Sequence, residues 1–210
     1  MYTPPAFRID DPSLLADIIR AARMATLVTA TADGLVATHL PLIYSESDGP
    51  HGTLTGHLAK ANDQWRRPSL GEALVIFAGL DAYVTPSWYE TKRRTGKAVP
   101  TWNYSALHAY GPVEFFEDRD RLLDAVTRLT DLHEAGRSEA WKVADAPEAF
   151  IEAQLKGIVG VRIPISRIEG KVKMSQNRPL EDRIGVAAGL AASPDETDRR
   201  VAAMIPTDGS

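Results

Sequence analysis

The chain has 210 residues, 44% of them hydrophobic, which is enough for one sizeable domain with a buried core. Its 24 basic and 28 acidic side chains leave a formal net charge of −4, so it has no global attraction to a phosphate backbone, and a nucleic-acid contact would need a local patch. It has no cysteine, which excludes disulfides, thiolate metal sites and cysteine nucleophiles together.

Met1-Tyr2-Thr3-Pro4-Pro5 has neither the basic nor the apolar region of a leader, and no stretch approaches eighteen uninterrupted apolar residues. The expectation is a protein of the cytoplasm with no membrane partner. Asp11-Pro12-Ser13 starts a helix in which Leu14, Leu15, Ile18, Ile19 and Ala22 recur at helical spacing, ending near Arg23. The period then changes to two, and strands at 26–29 and 35–38 flank Ala32-Asp33-Gly34, whose Asp-Gly pair suits a tight hairpin. The second strand is read as running on to Tyr44, with Pro41 marking an edge. Further strands are predicted at 53–57, 73–78, 82–85, 101–110 and 113–116, with turns at Gly71, Gly79 and Gly111-Pro112. Helices follow at 120–135 and from 145 to Gly157, late strands at 158–165 and 168–172, and two terminal helices within 187–205 broken at Ser193-Pro194. Short strands at this spacing predict a mainly β fold, a barrel with helices packed outside.

Three stretches carry chemistry. In Thr53-Leu54-Thr55-Gly56-His57-Leu58-Ala59-Lys60-Ala61-Asn62 a strand is read as ending at Gly56, with a helix starting two or three residues on. Free N–H groups, the helix dipole and the Lys60 charge suit an anion there, although an ordinary turn with a surface lysine has the same local pattern. Around 82–111, Trp88, Tyr89, Trp102 and Tyr104 accompany Lys92-Arg93-Arg94 and Lys97. Aromatic faces beside positive charge suit a flat phosphorylated ligand or nucleic acid, and equally a core strand next to a solvated loop. In 171–183, Gln176 and Asn177 carry both donors and acceptors, which match the polar edge of a heterocycle and also serve loops and caps.

Taken in order, these blocks resemble the PaiB-type family of FMN-binding transcriptional regulators: Tyr2-Thr3-Pro4 with Phe7, the block from Gly56 to Asn62 ending in Trp65, Tyr83-Val84-Thr85-Pro86-Ser87-Trp88-Tyr89, Val99-Pro100-Thr101-Trp102-Asn103-Tyr104 with His108 and Gly111, and Lys173-Met174-Ser175-Gln176-Asn177-Arg178. The resemblance spans nearly the whole chain. It implies the FMN-binding split β-barrel shared with pyridoxamine-phosphate oxidases, as one domain over 1–210 with a helical extension from about 180, and a homodimer with FMN in its interface. By the same resemblance, Thr55, His57, Ala59 and Lys60 lie near the phosphate and ribityl chain, His39 flanks the ring, and Trp102, Asn103, His108, Ser175, Gln176 and Asn177 approach the cofactor, from either subunit. Pyridoxamine-phosphate oxidases carry consecutive arginine and lysine at the phosphate junction, whereas here Lys60 is followed by Ala61. Arg66, Arg67 and Lys97 are the candidates to supply the missing charge.

Two functions follow from the resemblance: a negative regulator or flavin-linked sensor, and an FMN-dependent oxidoreductase. A haem-binding relative, with His57 or His108 as axial ligand, is a third. No helix-turn-helix is legible, and the acidic residues of the 120–135 helix repel phosphates, so DNA contact is left to the basic 92–97 loops. The histidines at 39, 51, 57, 108 and 133 are scattered without metal spacing, so no metal is expected and no catalytic residue is assigned.

Overall fold

The computed structural model describes residues 1–208. In chain order the elements are β1 (Arg8–Ile9), α1 (Pro12–Ala21), β2 (Ala25–Thr31), β3 (Gly34–Leu40), β4 (Leu42–Ser45), β5 (Thr53–Ala59), β6 (Ala73–Val84), α2 (Glu90–Thr95), β7 (Thr101–Gly111), β8 (Glu114–Phe116), α3 (Arg119–Glu134), α4 (Glu148–Leu155), β9 (Ile158–Pro164), β10 (Arg167–Lys173), α5 (Leu180–Ala191) and α6 (Glu196–Ala202). The strands form a six-stranded and a four-stranded antiparallel sheet. The chain divides into two compact units: one holds Met1–Leu15, Ala78–Leu107 and the segment from Glu169 onward, the other Ala16–Phe77 and His108–Ile168.

In the second unit the predicted hairpin is present, with Ala25↔Leu40 through Thr31↔Gly34 in register. The loop is Ala32-Asp33, and the positive φ (114°) falls on Gly34, where a glycine accepts it without strain. Strand β2 also pairs with the first part of β6, from Thr26↔Ile76 to Val28↔Leu74. The run from 35 to 44 is two strands, not one. Pro41 has no N–H to give a ladder, the pairing breaks there, and β3 and β4 belong to different sheets. The four-stranded sheet, in the order β4-β5-β9-β8, lies wholly in this unit. Phe116, Leu122 of α3 and Leu155 of α4 close a small core beside it. Each such side chain is worth roughly 1.5–3 kcal/mol on burial.

In the first unit, β1 pairs with β10 (Arg8↔Lys171, Ile9↔Gly170). The predicted break at Gly79 is absent, and β6 runs unbroken from Ala73 to Val84. A side chain at Gly79 would collide with the Ser105 hydroxyl, so this glycine serves close strand packing and not a turn. The predicted helical extension beginning near 180 takes the form of α5 and α6, and its last two positions, 209 and 210, lie outside the described residues. Val186, Leu190, Val201 and Ala202 of these helices share a buried cluster with Ala82, Val84, Tyr89 and Met174, so they complete the core of this unit. Gly185 and Gly189 leave the groove in which Trp88 sits.

Candidate flavin site

Strand alternation sets the site. Along β5, Leu54, Gly56 and Leu58 are buried, while Thr55, His57 and Ala59 share the opposite face. Strand β9 lies alongside, with His57 opposite Gly160 and Ala59 opposite Ile158. Gly56 is in the middle of the strand and does not end it. A Cβ there would stand 2.7 Å from the Pro41 carbonyl oxygen and 2.8 Å from Leu42 Cδ2, so the glycine permits close approach of β4, not of a ligand.

A cavity of about 410 Å³ is lined by Thr38, His39, Leu40, His57, Leu58, Ala59, Asn62 and Ile158. Three of the sequence-predicted residues, His39, His57 and Ala59, therefore meet. His57 Nδ1 is buried and has no hydrogen-bond partner among the described residues. Burial also holds the His57 pKa below its ordinary value, which favours the neutral imidazole. A neutral ring with an uncommitted nitrogen can donate or accept one hydrogen bond to a molecule in the cavity. His39 Nδ1 lies 2.9 Å from the Thr26 hydroxyl. Asn62 is committed at both ends: its Nδ2 donates to Thr38 Oγ1 (2.7 Å) and its Oδ1 accepts from the Gln64 N–H (3.0 Å). It pins the turn after β5 to β3.

An adjoining cavity of about 260 Å³ shares Ile158 as a wall and is lined by Lys60, Glu117, Arg119, Glu152 and Lys156, among others. The Lys60 backbone is held twice, its N–H donating to the Gly157 carbonyl (2.8 Å) and its carbonyl accepting from Trp65 Nε1 (3.1 Å). Its ammonium pairs with Glu117. The helix expected after Gly56 is a single 3-10 turn, Asp63–Arg66, capped by Asn62. Four residues supply little macrodipole, so attraction for an anion here comes from formal charges. The candidate replacement cations are placed otherwise: Arg66 stacks on Trp65 (4.7 Å), Arg67 pairs with Asp63 (2.6 Å), and Lys97 is exposed in the first unit. Arg119 and Lys156 share the Lys60 cavity, and no sequence pattern links 60 to 117, 119 or 156 because these contacts join distant segments. Thr55 lines a third cavity, of about 350 Å³, with Arg121, Arg128 and Arg162, and is not among the residues lining the His57 cavity.

The remaining candidates, other than His108, belong to the first unit, and the His57 cavity is built wholly within its own unit. Along β7, Asn103, Ser105 and Leu107 are buried while Trp102, Tyr104 and His108 alternate with them on the other face. Trp102 is 53% exposed and edge-on to Tyr83 (5.8 Å). Asn103 is fully buried, its amide bonded to the Ser175 hydroxyl (3.0 and 3.1 Å), and Ser175 takes a positive φ of 59°. The Gln176 amide is spent inside its own loop, accepting from the Met174 N–H (2.6 Å) and donating to the Val172 carbonyl (2.6 Å). Asn177 is exposed. His108, in the second unit, lies edge-on to Tyr110 at 6.2 Å. The basic 92–97 loop is helix α2 with Gly96 as its left-handed cap; Arg93 and Arg94 pair with Glu90, and Arg94 also with Glu181.

Two antiparallel sheets with packed helices make up a split-barrel fold, which solved structures share. The flavocytochrome Anf3 from Azotobacter vinelandii aligns at a TM-score of 0.60 over 80% of this chain and 69% of its own, with 12% identity. The FAD and heme binding protein from Mycobacterium smegmatis aligns at 0.56 over 79% and 73%, with 15% identity. The family described as "Putative FMN-binding domain" matches residues 1–167. The chain is 32% identical over 206 residues to the protease synthase and sporulation protein PAI 2 of Bacillus subtilis, covering 98% of this chain and 96% of that protein. It is 33% identical over 233 residues to the protein AN0679 of Emericella nidulans, covering 94% and 93%. The chain belongs to the PaiB-type family of FMN-binding proteins, and its cofactor is FMN. Among the described residues, no helix is long and apolar enough to cross a membrane.

Proposed function

We propose that this chain acts in the cytoplasm as a homodimeric, FMN-linked sensor and negative regulator, with residues 1–210 forming one functional domain. FMN, when bound, supplies reversible electron transfer at its ring. His39 and His57 flank the ring and ribityl chain, Lys60 faces the phosphate, and exposed Trp102 and Asn177 reach the cofactor of the second subunit. The observation that carries the reading is the buried His57 Nδ1, without a partner among the described residues, in a cavity that adjoins the one lined by Lys60. A buried polar atom left unpaired costs about 1–3 kcal/mol, and a bound ligand would recover it. Regulation runs through a flavin-dependent state of the protein.

The test is the absorption spectrum of the purified protein with and without added FMN. Two flavin bands that shift on binding, at one FMN per chain, are expected; a Soret band, or a protein that takes up no FMN, would overturn the reading. Fluorescence anisotropy of duplex DNA at low and moderate salt, with and without FMN, tests the regulator. A flavin-dependent change in binding supports direct contact with DNA, and no salt-dependent binding at either concentration excludes it.

A further inference from the structure

Lys60 alone is a weak anchor for a phosphate that carries between one and two negative charges, and in this structure its charge is already engaged by Glu117. The cavity around it resolves both difficulties. Of its three cations, Arg119 is committed to Glu152 (2.8 Å) and Asp120 (2.7 Å), and Lys60 to Glu117. Lys156 lines the same cavity and has no ion-pair partner among the described residues. The segments carrying the two lysines are tied by the hydrogen bond from the Lys60 N–H to the Gly157 carbonyl (2.8 Å), one residue from Lys156.

We propose that Lys156 is the second phosphate-binding cation, and that Glu117 is an internal counterion which the phosphate displaces from Lys60. This rests on the reading of the two adjoining cavities as the FMN site. The side chains of Lys60 and Glu117 are 39% and 49% exposed, and such a pair is weak enough to part for a stronger anion, returning Glu117 to water. The chain then discriminates FMN from riboflavin through the lysine of its motif and two charges that the motif does not contain. Glu117 acts as a specificity device: it keeps the lysine occupied against weakly bound anions and yields to a phosphate that both lysines grip.

The experiment is paired fluorescence-quenching titration of FMN and of riboflavin with the full-length protein and its K60Q, K156Q, K156R and E117Q variants, each checked for folding by circular dichroism. K156Q is expected to weaken FMN binding about two- to fivefold and E117Q to tighten it by a similar factor, with riboflavin unmoved in both. K156R should bind FMN as the wild type does. FMN affinity unchanged in K156Q and E117Q while K60Q weakens it would overturn this inference and leave the site standing. So would a shift in riboflavin affinity equal to that of FMN, which marks a structural effect. A wild-type protein that binds neither flavin would overturn the site itself and this inference with it.

Discussion

His57 carries a pH signature that can be read without any cofactor. Its pKa is lowered in the folded chain by burial, so between that value and the ordinary value near 6.5 the unfolded state binds more protons. Its contribution to stability is therefore complete above about pH 6.5 and is lost as pH falls through the folded value. Thermal midpoints measured from pH 7.5 down to 5.5 should decline in the wild type and decline less in His57→Gln. The carboxylates of Asp48, Asp63 and Glu114 are held below their ordinary range by hydrogen bonds from Arg162, Arg67 and Arg121. Their losses set in only as pH approaches the unfolded carboxylate values near about 4 and continue below them, so they fall largely outside this window. Gly56 makes a second residue-level prediction. Alanine there meets the Pro41 carbonyl oxygen at 2.7 Å, so Gly56→Ala should cost about 1–3 kcal/mol in urea unfolding by separating β4 from β5.

Among the elements, α3 is held at its start by Asp118, whose carboxylate accepts from the Arg121 N–H at 2.9 Å. Asp118→Ala should destabilise the protein by about 1 kcal/mol, measured as a shift in the urea midpoint with an unchanged slope. The pairing of β7 with the loop after β10 rests on the buried Asn103 amide and the Ser175 hydroxyl. Removing one partner leaves the other buried and unpaired, so Asn103→Ala should cost about 1–3 kcal/mol. Ser175 sits at positive φ, which glycine adopts more readily; Ser175→Gly relieves that strain but removes the hydroxyl, and should be less damaging than Asn103→Ala in the same assay.

For the molecule as a whole, the proposed homodimer makes a complementation test possible. Lys60→Glu damages the phosphate end of a subunit's own site, and Trp102→Ala the contact offered to its partner's. Each variant alone should bind FMN poorly, and a refolded equal mixture should regain about a quarter of the sites, because half the dimers are mixed and each mixed dimer has one intact site. No recovery in an equilibrium titration would mean that one subunit supplies both contacts. The net charge of −4 makes any DNA binding depend on local patches, so it should vanish steeply with salt if it occurs.

Sequence periodicity and turn chemistry were sufficient for the β2–β3 hairpin, α1, α3 and the terminal helices, because those elements rest on neighbours close in the chain. The order of the motif blocks was sufficient for the family and its cofactor. The meanings of the glycines and of Pro41 were not legible: Gly56 and Gly79 pack against distant strands, and the break at Pro41 moves the chain from one sheet to the other. Nor could spacing show that Asn103 and Gln176 are consumed by internal hydrogen bonds, while His57 keeps a buried nitrogen free. The Lys60 block was readable as a motif. Its counterion Glu117 and its companion Lys156 were decided by tertiary structure alone, since electrostatic partners are chosen by distance in space, and these lie 57 and 96 residues further along the chain.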